Sequence, residues 1–229
     1  MTSAQSGGTS RLLLVLLTVL MVAAAVWYAV NRLPQTEPPP PAPVVVVPDS
    51  EPLTHLPPME RPCGVHCGTQ RWAIKTLADA DRDRVDLSPV AATVEELVSL
   101  TRPDAFDERS RNGPVELTTY RIRGYLGGWS NQHDGDVHLV VFGMVDQRVS
   151  LVAEIPNPGC DGVCPSGLAP YYLAARQSLE AILNRPNPED RPIVVEVTGL
   201  GFWDRREHAN GSAATGIELH PVLGLTEVR

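Results

Sequence analysis

Between Pro114 and Phe142 the chain reads PVELTTYRIRGYLGGWSNQHDGDVHLVVF, two runs of alternating character joined by a polar turn at Asp134-Gly135-Asp136. Side chains on a strand repeat every second residue, and an Asp-Gly step between two such runs is a hairpin signal. A hairpin alone is barely stable in water, so a chain that makes one must supply further strands or a helix to cover it.

The rest of the sequence supplies them. RVSLVAEI, after a turn at Asp146-Gln147, is a third strand. Pro170 is placed to start a helix through YYLAARQSLEAILN, with Tyr172, Ala175, Leu179, Ile182 and Leu183 on one face and Pro186 beyond its end. PIVVEVTGLGFW and GIELHPVLGL close the chain as strands. The fold class this predicts is mainly β with α: three strands, a helix and two strands over residues 114–229, the order of a five-stranded OB-like barrel. Gly124 marks a bend within the first strand.

The N-terminal sixty residues have a different character. After a cytoplasmic tail over 1–11, Leu12 to Val30 is an apolar run with Thr18 as its one polar member. At 1.5 Å per residue such a run spans roughly 28 Å, close to a bilayer's hydrocarbon core. Ala23-Ala24-Ala25 is the one candidate signal-peptide cleavage site, but it falls inside the run, while Trp27 and Tyr28 sit where an interfacial aromatic belt belongs. Residues 12–30 are therefore read as a transmembrane signal anchor, and the membrane as one partner of the chain. Residues 31–60 are a Pro-rich linker, with ten prolines in the twenty-five residues from Pro34 to Pro58, suited to a semi-rigid polyproline spacer.

Residues 61–113 are an extension expected to pack on the barrel. The four cysteines, Cys63, Cys67, Cys160 and Cys164, form two C-x3-C pairs, one in this extension and one after the third strand. Outside the cytoplasm such thiols are expected as two disulfides rather than a zinc site, for example Cys67 to Cys160 and Cys63 to Cys164. His66 would be a ligand only in the zinc alternative. RWAIKTL, Arg71 to Leu77, alternates like a strand with Trp72 buried. The acidic run Asp79 to Asp86 fails as a calcium loop, because Arg84 and Val90 stand where Gly and a bidentate Glu are required; a solvated turn is expected. Thr93-Val-Glu-Glu96 is a capping box opening a helix over VEELVSL, and Asp104 to Gly113 is expected to be an exposed connection.

The net charge of −8 argues against nucleic acid as a partner, since phosphate binding needs clustered cations. Asp134, Asp136 and His138 are spaced by two, as are Glu218 and His220; with Glu154 they are the residues from which a site for calcium or another divalent metal would be built. Turn-forming aspartates and hydrogen-bonded histidines are the commoner use of such residues, and the expectation is no cofactor. Trp129, Trp203 and Tyr125 are the candidate binding aromatics. No nucleophile elbow or nucleotide fingerprint is present.

The middle of the chain resembles the thermonuclease (staphylococcal nuclease-like) family through the Asp134-Gly135-Asp136 turn, with Val137 in place of Thr, through Arg148 opening the third strand, and through Glu154 and Pro156 closing it. That resemblance implies a metal-dependent phosphodiesterase using Arg148 and Glu154 as catalytic residues. The chain departs from the family where the general-base Glu belongs, which is Asn157 or Pro158 here. From Trp72 onward the chain is also similar to a set of uncharacterised bacterial proteins sharing RWxxKTL, VELTxYR, DGDxHLV, VEVTGxGFxD and GIELHPVL. The expectation for function is a non-catalytic, membrane-tethered extracytoplasmic module that binds an envelope ligand or protein; a structural part of an envelope assembly is a further alternative.

Overall fold

A computed structural model describes residues 53, 56–57, 64–68, 70–185, 192–204 and 211–228. The expected tail, anchor and most of the Pro-rich linker lie outside the described residues. Among the described residues no helix is long and apolar enough to cross a membrane.

Ten elements follow in order: α1 (Trp72–Lys75), β1 (Asp86–Ala91), α2 (Val94–Val98), β2 (Thr118–Asn131), β3 (Val137–Phe142), β4 (Ser150–Ile155), α3 (Val163–Ser166), α4 (Ala169–Leu183), β5 (Val194–Trp203) and β6 (Ile217–Glu227). Neighbouring strands run β2-β3-β4-β6-β5, and β5 pairs back onto β2 to close a five-stranded barrel. All barrel pairings are antiparallel except β4 with β6. The closed barrel, with its helix between the third and fourth barrel strands, is consistent with an OB-like arrangement.

Strand β2 makes closure possible. Its first half pairs with β5 and its second half with β3, the exchange falling at Tyr125, which is opposite both Val194 and Phe142. Gly124 and a register shift between Leu126 and Gly128 sit at this bend. A Cβ on Gly124 would lie 2.5 Å from the Phe142 carbonyl oxygen, so only glycine lets the two strands approach there. At the β2–β3 turn Gly135 has φ +82°, and the Asp134 carboxylate accepts from the Asp136 amide at 3.1 Å. Inside the barrel Leu139, Val141, Leu151, Ala153, Val197 and Leu219 are buried. Helix α4 covers it with Tyr172, Ala175, Leu179 and Ile182, the face expected from its spacing.

The extension departs from expectation in four places. RWAIKTL is helical at Trp72–Lys75 rather than a strand; Trp72 is buried as expected, and so is Lys75. Two-residue alternation over seven residues cannot distinguish a strand from one turn of helix seated on a core. The acidic run ends in a strand, β1, which pairs in parallel with β2, and its first residue, Asp79, holds the buried Arg111 at 2.6 Å. Arg111 and Asn112 are buried, so the 104–113 stretch is not simply an exposed connection. The capping box is present, with Thr93 Oγ1 accepting from the Glu96 amide at 3.1 Å, but the helix ends at Val98.

Cys67 and Cys160 form a disulfide across 93 residues of sequence. Cys164 is also disulfide-bonded, and Cys63 lies outside the described residues. A parallel bridge between Val65 and Cys160 runs alongside the crosslink, joining the extension to the loop after β4.

Candidate functional site

A cavity of about 910 Å³ opens beside β2 and β3, lined among others by Gly128, Trp129, Phe142, Lys75, His138, Glu154, Asp204 and Glu218. The charged residues arrive from several elements. Alternation on β3 turns Val137, Leu139 and Val141 to the core and leaves His138 on the pocket side. Glu154 stands directly opposite His138 on β4. Lys75 comes from α1, Asp204 follows β5, and Glu218 and His220 come from β6.

Glu154 is the centre of the cluster. Its Oε1 is 3.1 Å from His138 Nδ1, its Oε2 is 2.9 Å from His220 Nδ1, and the Lys75 ammonium lies 3.7 Å from Oε2. The other nitrogen of His220, Nε2, is 3.3 Å from Asp136 Oδ2. These His220 approaches are ion-pair contacts rather than in-line hydrogen bonds, and neither ring nitrogen has a hydrogen-bond partner. Asp136 Oδ1 accepts from the Asn157 amide at 2.9 Å. The Lys75 ammonium also lies 3.9 Å from Asp204 and 5.3 Å from the centre of the Phe202 ring.

Burial and neighbouring charge push these groups apart in acidity. Burial alone would raise the Glu154 carboxyl, but His138, His220 and Lys75 more than offset it and hold Glu154 well below the usual carboxylate range. Glu218 moves well above that range, because burial and the adjacent charges of Glu154 and Asp204 act together against Lys75. His220 is buried beside a lysine, and both facts lower it, yet contact with Asp136 and Glu154 leaves it raised above 6.5. Lys75 is raised because Glu154, Asp204, Glu218 and Asp136 outweigh its desolvation. Several buried polar atoms here have no hydrogen-bond partner: Asp136 Oδ2, Asp204 Oδ1, Glu218 Oε2 and both His220 nitrogens. Such atoms are costly in a folded protein and accumulate where function requires them.

Of the residues expected from sequence, the structure brings Asp136, His138, Glu154 and His220 together, with Glu218 beside them. Asp134 stays in the turn at the pocket's edge. Arg148 does not open β4; it precedes Ser150, is exposed, and pairs with Asp146 at 2.8 Å. Trp203 is 1 % exposed and packed in the core, so it presents no binding face, whereas Trp129 is 49 % exposed at the pocket. Tyr125 is partly buried at the β2 bend and is not among the residues lining the cavity. An arginine near the helix, Arg176 of α4, holds the carbonyls of Gly135, Ile155 and Pro156 and so fixes the turn that carries Asp136. Lys75 had no signal in the sequence; a lysine in a seven-residue alternating run is ordinarily solvated.

Asp136, Glu154 and His220 each offer a ligand atom within 4.8 Å of the others. The arrangement does not fit the calcium that the thermonuclease resemblance implies. Calcium takes six to eight oxygens, whereas here the His220 ring separates the two carboxylates, turning one nitrogen to each, and the Lys75 ammonium already neutralises the Glu154 oxygen.

No family model, curated protein or solved structure matches the chain. The likeness to thermonucleases thus rests on the Asp134-Gly135-Asp136 turn, Arg148, Glu154 and Pro156 alone.

Proposed function

We propose that this chain is a membrane-tethered, extracytoplasmic module whose OB-like barrel binds a small polar ligand in the cavity beside β2 and β3. The observation that carries the reading is the cavity itself: about 910 Å³, lined by the half-exposed Trp129 indole and by the Asp204 and Glu218 carboxylates, each with an oxygen that makes no hydrogen bond. A concave site with an apolar wall and a few convergent polar groups is the usual form of a ligand pocket. The Cys67–Cys160 crosslink suits an oxidising compartment, which is where an anchor at residues 12–30 would hold the domain.

Phosphodiester hydrolysis is the poorer reading. A phosphodiester needs cations around it, and this lining has Asp134, Glu154, Asp204 and Glu218 against Lys75. Arg148, which the nuclease arrangement requires, is exposed in the turn before β4 and paired with Asp146.

Trp129 offers the test. Titration of the purified domain with oligosaccharides, peptides and oligonucleotides is expected to change indole fluorescence with one of the first two classes, and Trp129→Ala is expected to weaken that binding about tenfold or more. Binding of oligonucleotides alone, or binding that Trp129→Ala leaves intact, defeats the proposal.

A further inference from the structure

Acceptors outnumber cations in the pocket wall, and the excess falls on particular atoms. Among the described residues the lining holds the carboxylates of Asp134, Glu154, Asp204 and Glu218 against the ammonium of Lys75, with His133 and His138 as its histidines. Glu154 is engaged on both oxygens, by His138 at 3.1 Å on one and by His220 at 2.9 Å and Lys75 at 3.7 Å on the other. Lys75 reaches Asp204 as well, but only at 3.9 Å. Glu218 is left over. It is 5 % exposed, it lines the cavity, and its Oε2 accepts no hydrogen bond; Asp204 Oδ1 accepts none either.

We propose that the pocket selects its ligand by an organic cation: an ammonium or guanidinium group donates to Glu218 Oε2 and Asp204 Oδ1, and the body that carries it packs on the Trp129 indole. The proposal rests on the ligand-binding reading of the same cavity and names the group by which the ligand is recognised.

Three observations select this class of ligand. Buried acceptors cost stability until a donor reaches them, and the N–H of a cation is the strongest donor available to a carboxylate. A negative charge on Glu218 is opposed by burial and by the neighbouring Glu154 and Asp204; a cation brought to its free oxygen relieves that opposition, and a neutral or anionic group does not. Trp129 is half-exposed in the same wall, beside Gly128, where even a Cβ would meet nothing within 4 Å, so the cavity is open next to the indole. Indole is the best aromatic surface for a cation. That surface also sets an organic cation apart from a metal ion such as calcium, which takes oxygen ligands.

The test titrates the disulfide-bonded full chain, purified in detergent, with charged probes and their uncharged counterparts, read by calorimetry and indole fluorescence. The pairs are Nα-acetyl-lysine amide with Nα-acetyl-norleucine amide, and the β-linked glucosamine tetramer with the N-acetylglucosamine tetramer; Nα-acetyl-arginine amide and calcium chloride are run beside them. In at least one pair the charged member is expected to bind about tenfold or more tightly than its counterpart, and the pair that responds identifies the body carrying the cation. Glu218→Gln and Asp204→Asn are each expected to weaken the charged probe about tenfold while changing the uncharged one by less than about twofold, with thermal unfolding showing that both variants fold. Trp129→Ala is expected to weaken both members of the pair. Equal affinity for charged and uncharged members overturns the cation inference and leaves the binding reading standing. Binding of calcium alone overturns it in favour of an inorganic ion, and no binding of any probe defeats both.

Discussion

Two clusters of charge are buried in this domain, and they are built differently. The first, formed by Arg71, Asp79, Arg111, Asn112 and Glu116, lies between the extension and the start of β2. Glu116 accepts from Arg71 at 2.6 and 2.7 Å, from the Asn112 amide, and from the Trp203 amide at 2.8 Å; Arg111 is held by Asp79 and by two backbone carbonyls. Every carboxylate there is matched to a donor, and Arg71 Nε is the one buried polar side-chain atom of these residues left without a hydrogen bond. The second, at Lys75, Asp136, His138, Glu154, Asp204, Glu218 and His220, contains ion pairs at longer range and, on four of its members, atoms without a hydrogen bond, and it opens on a cavity. The first arrangement stabilises a docked segment, whereas the second keeps polar groups unsatisfied at a cost in stability, which is the signature of a site.

The largest expected effect breaks the first cluster. Glu116→Ala leaves the Arg71 guanidinium and two amides buried without their acceptor, and a loss of about 3–5 kcal/mol is expected by denaturant unfolding. Neutralising a carboxyl in the second cluster is expected to differ in sign. Glu218→Gln removes a carboxyl whose ionisation is disfavoured by burial and by the neighbouring charges of Glu154 and Asp204, so stability at neutral pH is expected to rise by about 1 kcal/mol. If both substitutions destabilise equally, the distinction between the clusters fails.

Much of this contrast was legible in advance for the barrel and little of it for the extension. Strands and helix α4 have long, regular patterns whose periods admit one reading, and the Asp-Gly turn placed Asp136 and His138 two apart at the head of β3. Glu154 and His220 were readable as candidates because each sits in a strand whose pairing the barrel order dictates. The extension carried no such pattern. Its packing is decided by Arg71, Arg111 and Glu116, which look like surface residues in sequence, and by a crosslink at Cys67 that brings the segment to the pocket rim. Lys75 was therefore invisible: its role depends on where α1 docks, and docking is a tertiary fact.

The pH dependence of stability sharpens the comparison. Glu154, held below its ordinary 4.5, contributes stability that is present above that pH and lost as the pH falls through its folded value. His220, raised above 6.5, contributes stability below 6.5 that is lost as the pH rises through its folded value. Glu218 acts in the same direction as His220: the folded state retains its proton more tightly, so stability falls as pH climbs from 4.5 through the raised value. Unfolding free energy is thus expected to decline on the alkaline side more steeply than exposed groups alone would produce. Glu218→Gln should flatten that limb, measured by urea unfolding between pH 5 and 9. An unchanged limb would mean that Glu218 is not the group being forced to ionise. Salt should matter less than pH, since buried pairs are weakly screened.

The smallest expected effect on stability is also the most direct probe of the pocket. Gly128 lies on β2 in the cavity wall, and a Cβ built there meets nothing within 4 Å. Unlike Gly124 and Gly127, whose Cβ would collide with Phe142 and its neighbours, Gly128 has room for a side chain, and its φ lies outside the left-handed region that strains L residues. Gly128→Leu is therefore expected to change unfolding free energy by less than about 0.5 kcal/mol, because reduced backbone entropy in the unfolded chain offsets any cost of exposed apolar surface. Because Gly128 lines the cavity, the leucine is expected to take up part of its space, and ligand binding should fall by at least about tenfold. Because neither charged cluster is touched, loss of binding with stability preserved would assign the cavity, rather than the integrity of the fold, to function. Binding that survives Gly128→Leu would move the ligand site off this face of the barrel.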